Sequence, residues 1–158
     1  MSLLSQPVPT EIPRDMTIHF ICTGNIYRSR LAEAYCKSKG VSGLDVMSSG
    51  IQTTLNGGIP IASYAADVLR AYGLERFAAP SWQQTTAALG RASDVLVFME
   101  REHYHFCKDW VDSSRQKFEI WDIPDVGSRV SAGEIRKEVE RTFAVIREQT
   151  DSLLIKLA

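Results

Sequence analysis

Met16-Thr-Ile-His-Phe-Ile-Cys-Thr-Gly-Asn-Ile-Tyr-Arg-Ser29 opens with an apolar run and follows it with one cysteine and one arginine, five residues lying between them. The run Met16 to Ile21 reads as a buried strand. Gly24 suits a close backbone approach, and Asn25 is a residue type that tolerates left-handed geometry. Beyond the turn, Leu31, Ala34, Tyr35 and Ser38 fall at helical spacing, and Gly40 is placed to stop that helix. The stretch is therefore a strand, a tight loop and a helix, with a thiol at the loop entrance. Such a loop aims several backbone N–H groups at one spot, and the helix adds its positive end there. An anion would bind at that spot, beside a sulfur that the same field favours as thiolate.

The rest of the chain repeats the strand–helix alternation. Asp45 to Ser48 reads as a second strand, Thr53 to Pro60 as a loop around Asn56-Gly57-Gly58, and Ile61 to Tyr72 as a helix stopped by Gly73. Pro80-Ser81 reads as the start of a shorter helix with Ser81 at its N-cap. Asp94 to Met99 is the clearest buried strand, residues 100–110 look helical, and Phe118 to Ile120 is a fourth strand leading into the loop Trp121 to Ser128. Ser131-Ala-Gly-Glu134 has the spacing of a capping box, with Ile135, Val139, Phe143 and Ile146 on one face of the final helix. Nearly all-apolar strands alternating with helices imply an α/β fold, a parallel sheet covered on both faces. In such a sheet ligands bind at the carboxyl ends of the strands, where both Cys22 and Asp125 fall.

Composition sets bounds. The 158 residues suffice for one domain with a core. Residues 1–15, dotted with Pro7, Pro9 and Pro13, read as a flexible N-terminal extension, and residues 16–158 as the single domain. A net charge of −1 gives no basic field and no reason to expect nucleic acid as partner. No apolar run approaches the roughly 20 residues of a membrane span, and the N-terminus lacks a secretory pattern. Three cysteines make no disulfide framework, which points to a reducing cytoplasm and suits a free nucleophilic thiol.

The loop reads as a site for phosphate ester chemistry. Arg28 has the planar fork that grips two phosphate oxygens, and the loop donors meet the charge that develops on the equatorial oxygens. Ser29 is either a plain helix-start residue or a hydrogen-bond donor to the sulfur, and Ser48 either a structural hydroxyl or part of the same network. Asp122 and Asp125 lie where a proton source for the leaving oxygen is needed. Cys22 would attack phosphorus to give a phosphocysteine, and the aspartate would then activate the water that hydrolyses it. No metal and no cofactor are required. Arg30 reads as a solvated helix charge, Cys36 as packing, the tryptophans as core, and His103, His105 and Cys107 as core or surface residues rather than a zinc site.

Phe20-Ile-Cys-Thr-Gly-Asn-Ile-Tyr-Arg-Ser29, Met47-Ser-Ser-Gly50, Ser93-Asp-Val-Leu-Val-Phe-Met-Glu100 and Trp121-Asp-Ile-Pro-Asp125 together resemble the low-molecular-weight protein tyrosine phosphatase family, in its order and about its spacing. The resemblance implies a flavodoxin-like three-layer sandwich on a four-stranded parallel sheet, and phosphomonoesterase activity on a phosphorylated protein or small phosphomonoester. It implies Cys22 as nucleophile and Arg28 as clamp. Thr23, Gly24, Asn25, Ile26, Tyr27, Arg28 and Ser29 would form the loop that takes the phosphate, or inorganic phosphate or sulfate. Asn25, Ser29 and Ser48 would form the supporting network, with Asp125 as general acid ahead of Asp122. Four positions depart from the family's pattern. Tyr27 stands where many members carry a second cysteine, Arg30 where proline usually follows Arg-Ser, Val126-Gly127 where proline and often tyrosines follow the acid, and Thr53-Thr-Leu55 where an aromatic wall is common. These departures keep a catalytically impaired phosphate-binding or regulatory module as the alternative. A thioredoxin-coupled arsenate reductase ranks lower, since Cys36 and Cys107 are not spaced as a disulfide relay.

Overall fold

A computed structural model describes residues 7–127 and 131–158. The chain runs β1 (Glu11–Cys22), α1 (Arg28–Ser38), β2 (Ser42–Gly50), α2 (Ser63–Ala71), α3 (Ala87–Ala92), β3 (Val95–Phe98), α4 (Arg101–Cys107), β4 (Lys117–Ile120) and α5 (Ala132–Leu157). The four strands pair in the order β2-β1-β3-β4, all parallel. Helices cover both faces, giving the flavodoxin-like α/β arrangement.

Strand alternation decides which side chains meet which layer. Ile18, Phe20, Cys22, Val95, Val97 and Met99 join one core with residues of α1, α2 and α5, whose Leu31, Leu69, Val139, Phe143 and Ile146 are fully or almost fully buried. Ile21, Leu96 and Phe98 join the other, with Cys107 of α4. Each such side chain contributes roughly 1.5–3 kcal/mol when buried. The expected apolar face of α5 is present, and the Ser131 hydroxyl accepts the Glu134 N–H at 3.2 Å. Gly40 and Gly73 stop α1 and α2 with φ of 61° and 68°.

Several boundaries differ from the sequence reading, among them β2, which spans Ser42–Gly50 rather than Asp45 to Ser48. β1 begins at Glu11 rather than Met16, so part of the expected extension is strand. Its register with β2 shifts between Glu11 and Met16, around Pro13, which has no N–H to offer a ladder. Residues 1–6 of that extension lie outside the described residues. The short helix expected from Pro80-Ser81 is absent there; the helix is α3, starting at Ala87 behind the Thr86 N-cap, whose hydroxyl accepts from Leu89 N–H. Residues 80–86 instead run beside β2, with Gln84 bridged to Gly50 and the Thr85 N–H on the Gly50 carbonyl. Main-chain pairing with the sheet edge outweighed a local capping signal.

Candidate active site

The segment between β1 and α1 is held by its carbonyls. Those of Cys22 and Thr23 accept from Ile51 and Gln52 N–H at 3.0 and 2.9 Å, and that of Ile26 from Ala62 N–H at 2.9 Å. The Gly24 carbonyl accepts from Asn56 Nδ2, the Asn25 carbonyl from Arg30, and the Tyr27 carbonyl from Leu31 N–H. Every carbonyl from Cys22 to Tyr27 is thus engaged away from the loop's interior. Among the described residues, none of the N–H groups from Thr23 to Ser29 has a protein acceptor. Asn25 makes the turn possible with φ of 57°, in the left-handed region. Gly50, paired to Cys22 across the strands, leaves room for the loop to pass: a Cβ there would meet the Thr23 carbonyl at 2.5 Å.

Hydroxyl directions around Cys22 follow from one amide. Asn25 Nδ2 donates to Ser29 Oγ at 2.7 Å and to Ser48 Oγ at 2.9 Å, and Gln83 N–H donates to Asn25 Oδ1. Ser29 Oγ lies 2.9 Å from Cys22 Sγ. Having accepted from Asn25, the Ser29 hydroxyl keeps its own proton for the sulfur. Ser48 Oγ donates to Glu33 Oε1 at 2.6 Å, and Lys37 donates to Glu33 Oε2 at 2.9 Å. The Ser29 and Ser48 hydroxyls thus share the Asn25 amide as donor.

Arg28 is buried at 1% exposure. Its Nη1 donates to Glu100 Oε1 and, at 2.7 Å, to the Ile123 carbonyl; Nη2 reaches Thr23 Oγ1 at 3.3 Å and lies 3.8 Å from Asp125 Oδ2. Burial pulls its pKa down, but the charges of Cys22, Asp125 and Glu100 outweigh burial and hold it above the ordinary arginine value. His103 accepts the Glu100 N–H at Nδ1, so Nε2 carries the proton and donates to Thr23 Oγ1 at 2.9 Å. Burial and the neighbouring Arg28 push the His103 pKa down to about 3, and the ring is neutral.

These groups line a small cavity of about 140 Å³. The loop forms its floor with Cys22, Thr23, Gly24, Ile26, Tyr27 and Arg28, and Leu55, Asn56, Tyr64 and Asp125 form its rim. Tyr27 packs edge-on against Tyr64, ring centroids 5.1 Å apart. Leu55 is 65% exposed. Asp122, also left-handed at φ 54°, does not line the cavity. Ser128, the end of the expected acid loop, lies outside the described residues. Glu100, Glu102 and His103 bring ligand-type atoms within 4.8 Å of one another, but Glu100 is spent on Arg28 and both His103 nitrogens are bonded.

Arg30 corrects the sequence reading. It is 1% exposed, not a solvated charge, and its guanidinium sits on main-chain carbonyls because α1 buries every residue from Arg28 to Cys36. Sequence reasoning also passed over Glu100, Glu33 and Gln83. Glu100 had a signal, a carboxylate just past the carboxyl end of a central strand. Glu33 and Gln83 had none, since ordinary polar residues become site residues only through burial.

The sequence model described as low molecular weight phosphotyrosine protein phosphatase matches residues 17–158, and the chain belongs to that family. Among solved structures it resembles Wzb of Vibrio vulnificus in complex with benzylphosphonate, at 24% identity and TM-score 0.74, over 90% of this chain and 99% of that one. The Erwinia amylovora tyrosine phosphatase AmsI matches at 24% identity and TM-score 0.74, over 91% and 94%. A mutant of YwlE from Bacillus subtilis matches at 21% identity and TM-score 0.66, over 88% and 99%; another YwlE structure is titled an arginine phosphatase with a phosphorylated active-site serine. No curated protein sequence matches the chain.

Proposed function

We propose that this family member hydrolyses phosphotyrosine in proteins, or a related aryl phosphomonoester, through a phosphocysteine on Cys22. The observation that carries the reading is the run of unpaired N–H groups from Thr23 to Ser29, with the Cys22 sulfur at the loop entrance and Arg28 beside it. Three equatorial phosphoryl oxygens would meet these donors, and the leaving oxygen would face the rim. Cys22 Sγ forms the S–P bond as the P–O bond to the leaving group breaks. Asp125 gives that oxygen a proton, then takes one from the water that cleaves S–P and releases inorganic phosphate and the thiolate. The rim position of Asp125 and its approach to Arg28 favour it over Asp122.

Leu55 and Tyr64 give the rim an aliphatic and an aromatic contact, which suits an aryl group. Burial pushes the Cys36 and Cys107 thiols up to about 12, which argues against a disulfide relay for arsenate reduction. Three free cysteines suit a reducing compartment, in keeping with a cytoplasmic protein.

Parallel assays on phosphotyrosine peptide and phosphoarginine, without added metal, test the proposal. Wild type should favour phosphotyrosine, and Cys22→Ser should lose turnover by at least about 10⁴-fold, the scale on which losing a nucleophile acts. Preference for phosphoarginine overturns the substrate. Phosphate binding without turnover of either makes the chain a binding module.

A further inference from the structure

We propose that Arg30 is a positioning residue of this site: its buried guanidinium locks the phosphate-binding loop, the pocket-wall loop and the segment before α3 into one unit at Asn25.

Three main-chain carbonyls converge on the guanidinium. Nη1 donates to the Asn25 carbonyl at 3.2 Å and the Pro60 carbonyl at 2.8 Å, and Nη2 donates to the Ala79 carbonyl. Each belongs to a different wall of the site. Asn25 is the left-handed turn of the loop and the amide that orients Ser29 and Ser48. Pro60 ends the loop whose Leu55 and Asn56 form the rim. Ala79 leads to Gln83, whose N–H holds Asn25 Oδ1 and whose Nε2 holds the Ser48 carbonyl. Asn25 is therefore gripped at its side chain by one segment and at its carbonyl by Arg30, which also binds that segment.

Placing a guanidinium out of water is unfavourable unless its donors are used. Here the nearest carboxylate is Glu33, with Oε1 3.9 Å from Arg30 Nε, and Nε itself has no hydrogen-bond partner. The side chain is thus held mainly by carbonyl dipoles rather than by a close ion pair. Lysine, a point charge with no planar fork, does not span three carbonyls in that arrangement. Burial lowers the Arg30 pKa, and the charges of Glu33 and then Cys22 act against that lowering.

The inference rests on the phosphatase reading for its kinetic arm and not for its binding arm. In the full chain, Arg30→Ala should lower kcat/KM for an aryl phosphate by about 10- to 100-fold, the scale on which small misplacements of reacting groups act. Methylguanidinium should recover several-fold of that loss, and Arg30→Lys should fall between the variant and wild type. Protection of Cys22 from iodoacetamide by inorganic phosphate should need at least about tenfold more phosphate in Arg30→Ala, on the same positional grounds. A folded Arg30→Ala whose kinetics and phosphate protection both stay within twofold of wild type overturns the proposal, even if its unfolding temperature drops. If Arg30→Ala does not fold, Arg30→Lys decides by the same two readouts. If wild type hydrolyses nothing, the functional reading fails, while phosphate protection still judges Arg30.

Discussion

The two halves of the site are built by opposite means. From Cys22 to Tyr27 every carbonyl is engaged, and Asn25, Arg28 and Ser29 are buried. From Asp122 to Gly127 the main chain is anchored at Ile123, which is buried with its N–H on the Met99 carbonyl at 2.8 Å and its carbonyl on Arg28, and Val126 packs half-buried against the core. Past that anchor Asp125 is 55% exposed, and among the described residues its carboxylate meets the Val126 N–H and, at 3.8 Å, Arg28. The difference matches the tasks that the proposed mechanism sets. Aiming several N–H groups at one tetrahedral anion tolerates little displacement, so the loop is held from all sides. Delivering a proton to leaving groups of varied shape needs reach, and a carboxylate on a lightly held segment has it.

Removing the proton source should separate the halves most sharply. Asp125→Asn should lower kcat/KM, which reports formation of the phosphocysteine, on a phenyl-type phosphate by about 10²–10⁴-fold, the usual worth of a positioned general acid. On a dinitrophenyl ester, whose leaving group needs no proton, the loss should shrink to a small part of that. Phosphate protection of Cys22 should not change. Asp122→Asn should leave both rates near wild type; a larger, leaving-group-dependent loss there would transfer the acid role to Asp122.

A smaller effect tests the rigid half from behind. Gly50→Ala places a Cβ 2.5 Å from the Thr23 carbonyl and 2.8 Å from the Asn25 nitrogen, both main chain, so the loop must shift. Overpacking of this kind costs about 1–3 kcal/mol of stability. Because the displaced atoms belong to the anion cradle, kcat/KM should fall by about 10- to 100-fold. The loss should be alike for good and poor leaving groups, the reverse of Asp125→Asn. Equal stability and activity in the variant would show that the loop yields without cost, contrary to the contrast drawn above.

What the sequence disclosed divides along the same line. The apolar strands, Gly40 and Gly73 as helix stops, and the Cys22–Ser29 loop were legible because local chemistry leaves few choices there. β1 running back to Glu11 was not, because a strand edge is set by its partner: Glu11 pairs with Ser42, far along the chain. Thr86 rather than Ser81 caps α3 for a like reason, since Gln84 and Thr85 pair with Gly50 first. Arg30 was misjudged because charge alone argues for solvent, and only the packing of α1 against two loops supplies the carbonyls that hold it. The pocket wall expected near Thr53 to Leu55 turned out to be shared with Tyr64, whose place on α2 no local pattern announces.

The rigid half should also be the half that acid undermines. His19 lies fully buried on β1, three residues before Cys22, with Nδ1 3.0 Å from Ser93 Oγ and Nε2 2.6 Å from Ser49 Oγ, next to Ser48 of the network. Burial lowers its pKa from 6.5 to about 4. Below pH 6.5 the unfolded chain therefore takes up a proton that the folded chain refuses until about pH 4. Stability present above pH 6.5 is lost as pH falls through that window. Between pH 7 and 5 one such histidine accounts for about 2 kcal/mol, and His103, depressed for a similar reason, adds a like amount. Urea unfolding of wild type at the two pH values should show the combined loss. His19→Gln, whatever its stability at pH 7, should lose about 2 kcal/mol less on going to pH 5. An identical pH 7-to-5 loss in both proteins would mean that the strand beneath Cys22 accepts a charge, and that the rigidity of the loop does not depend on a neutral imidazole below it.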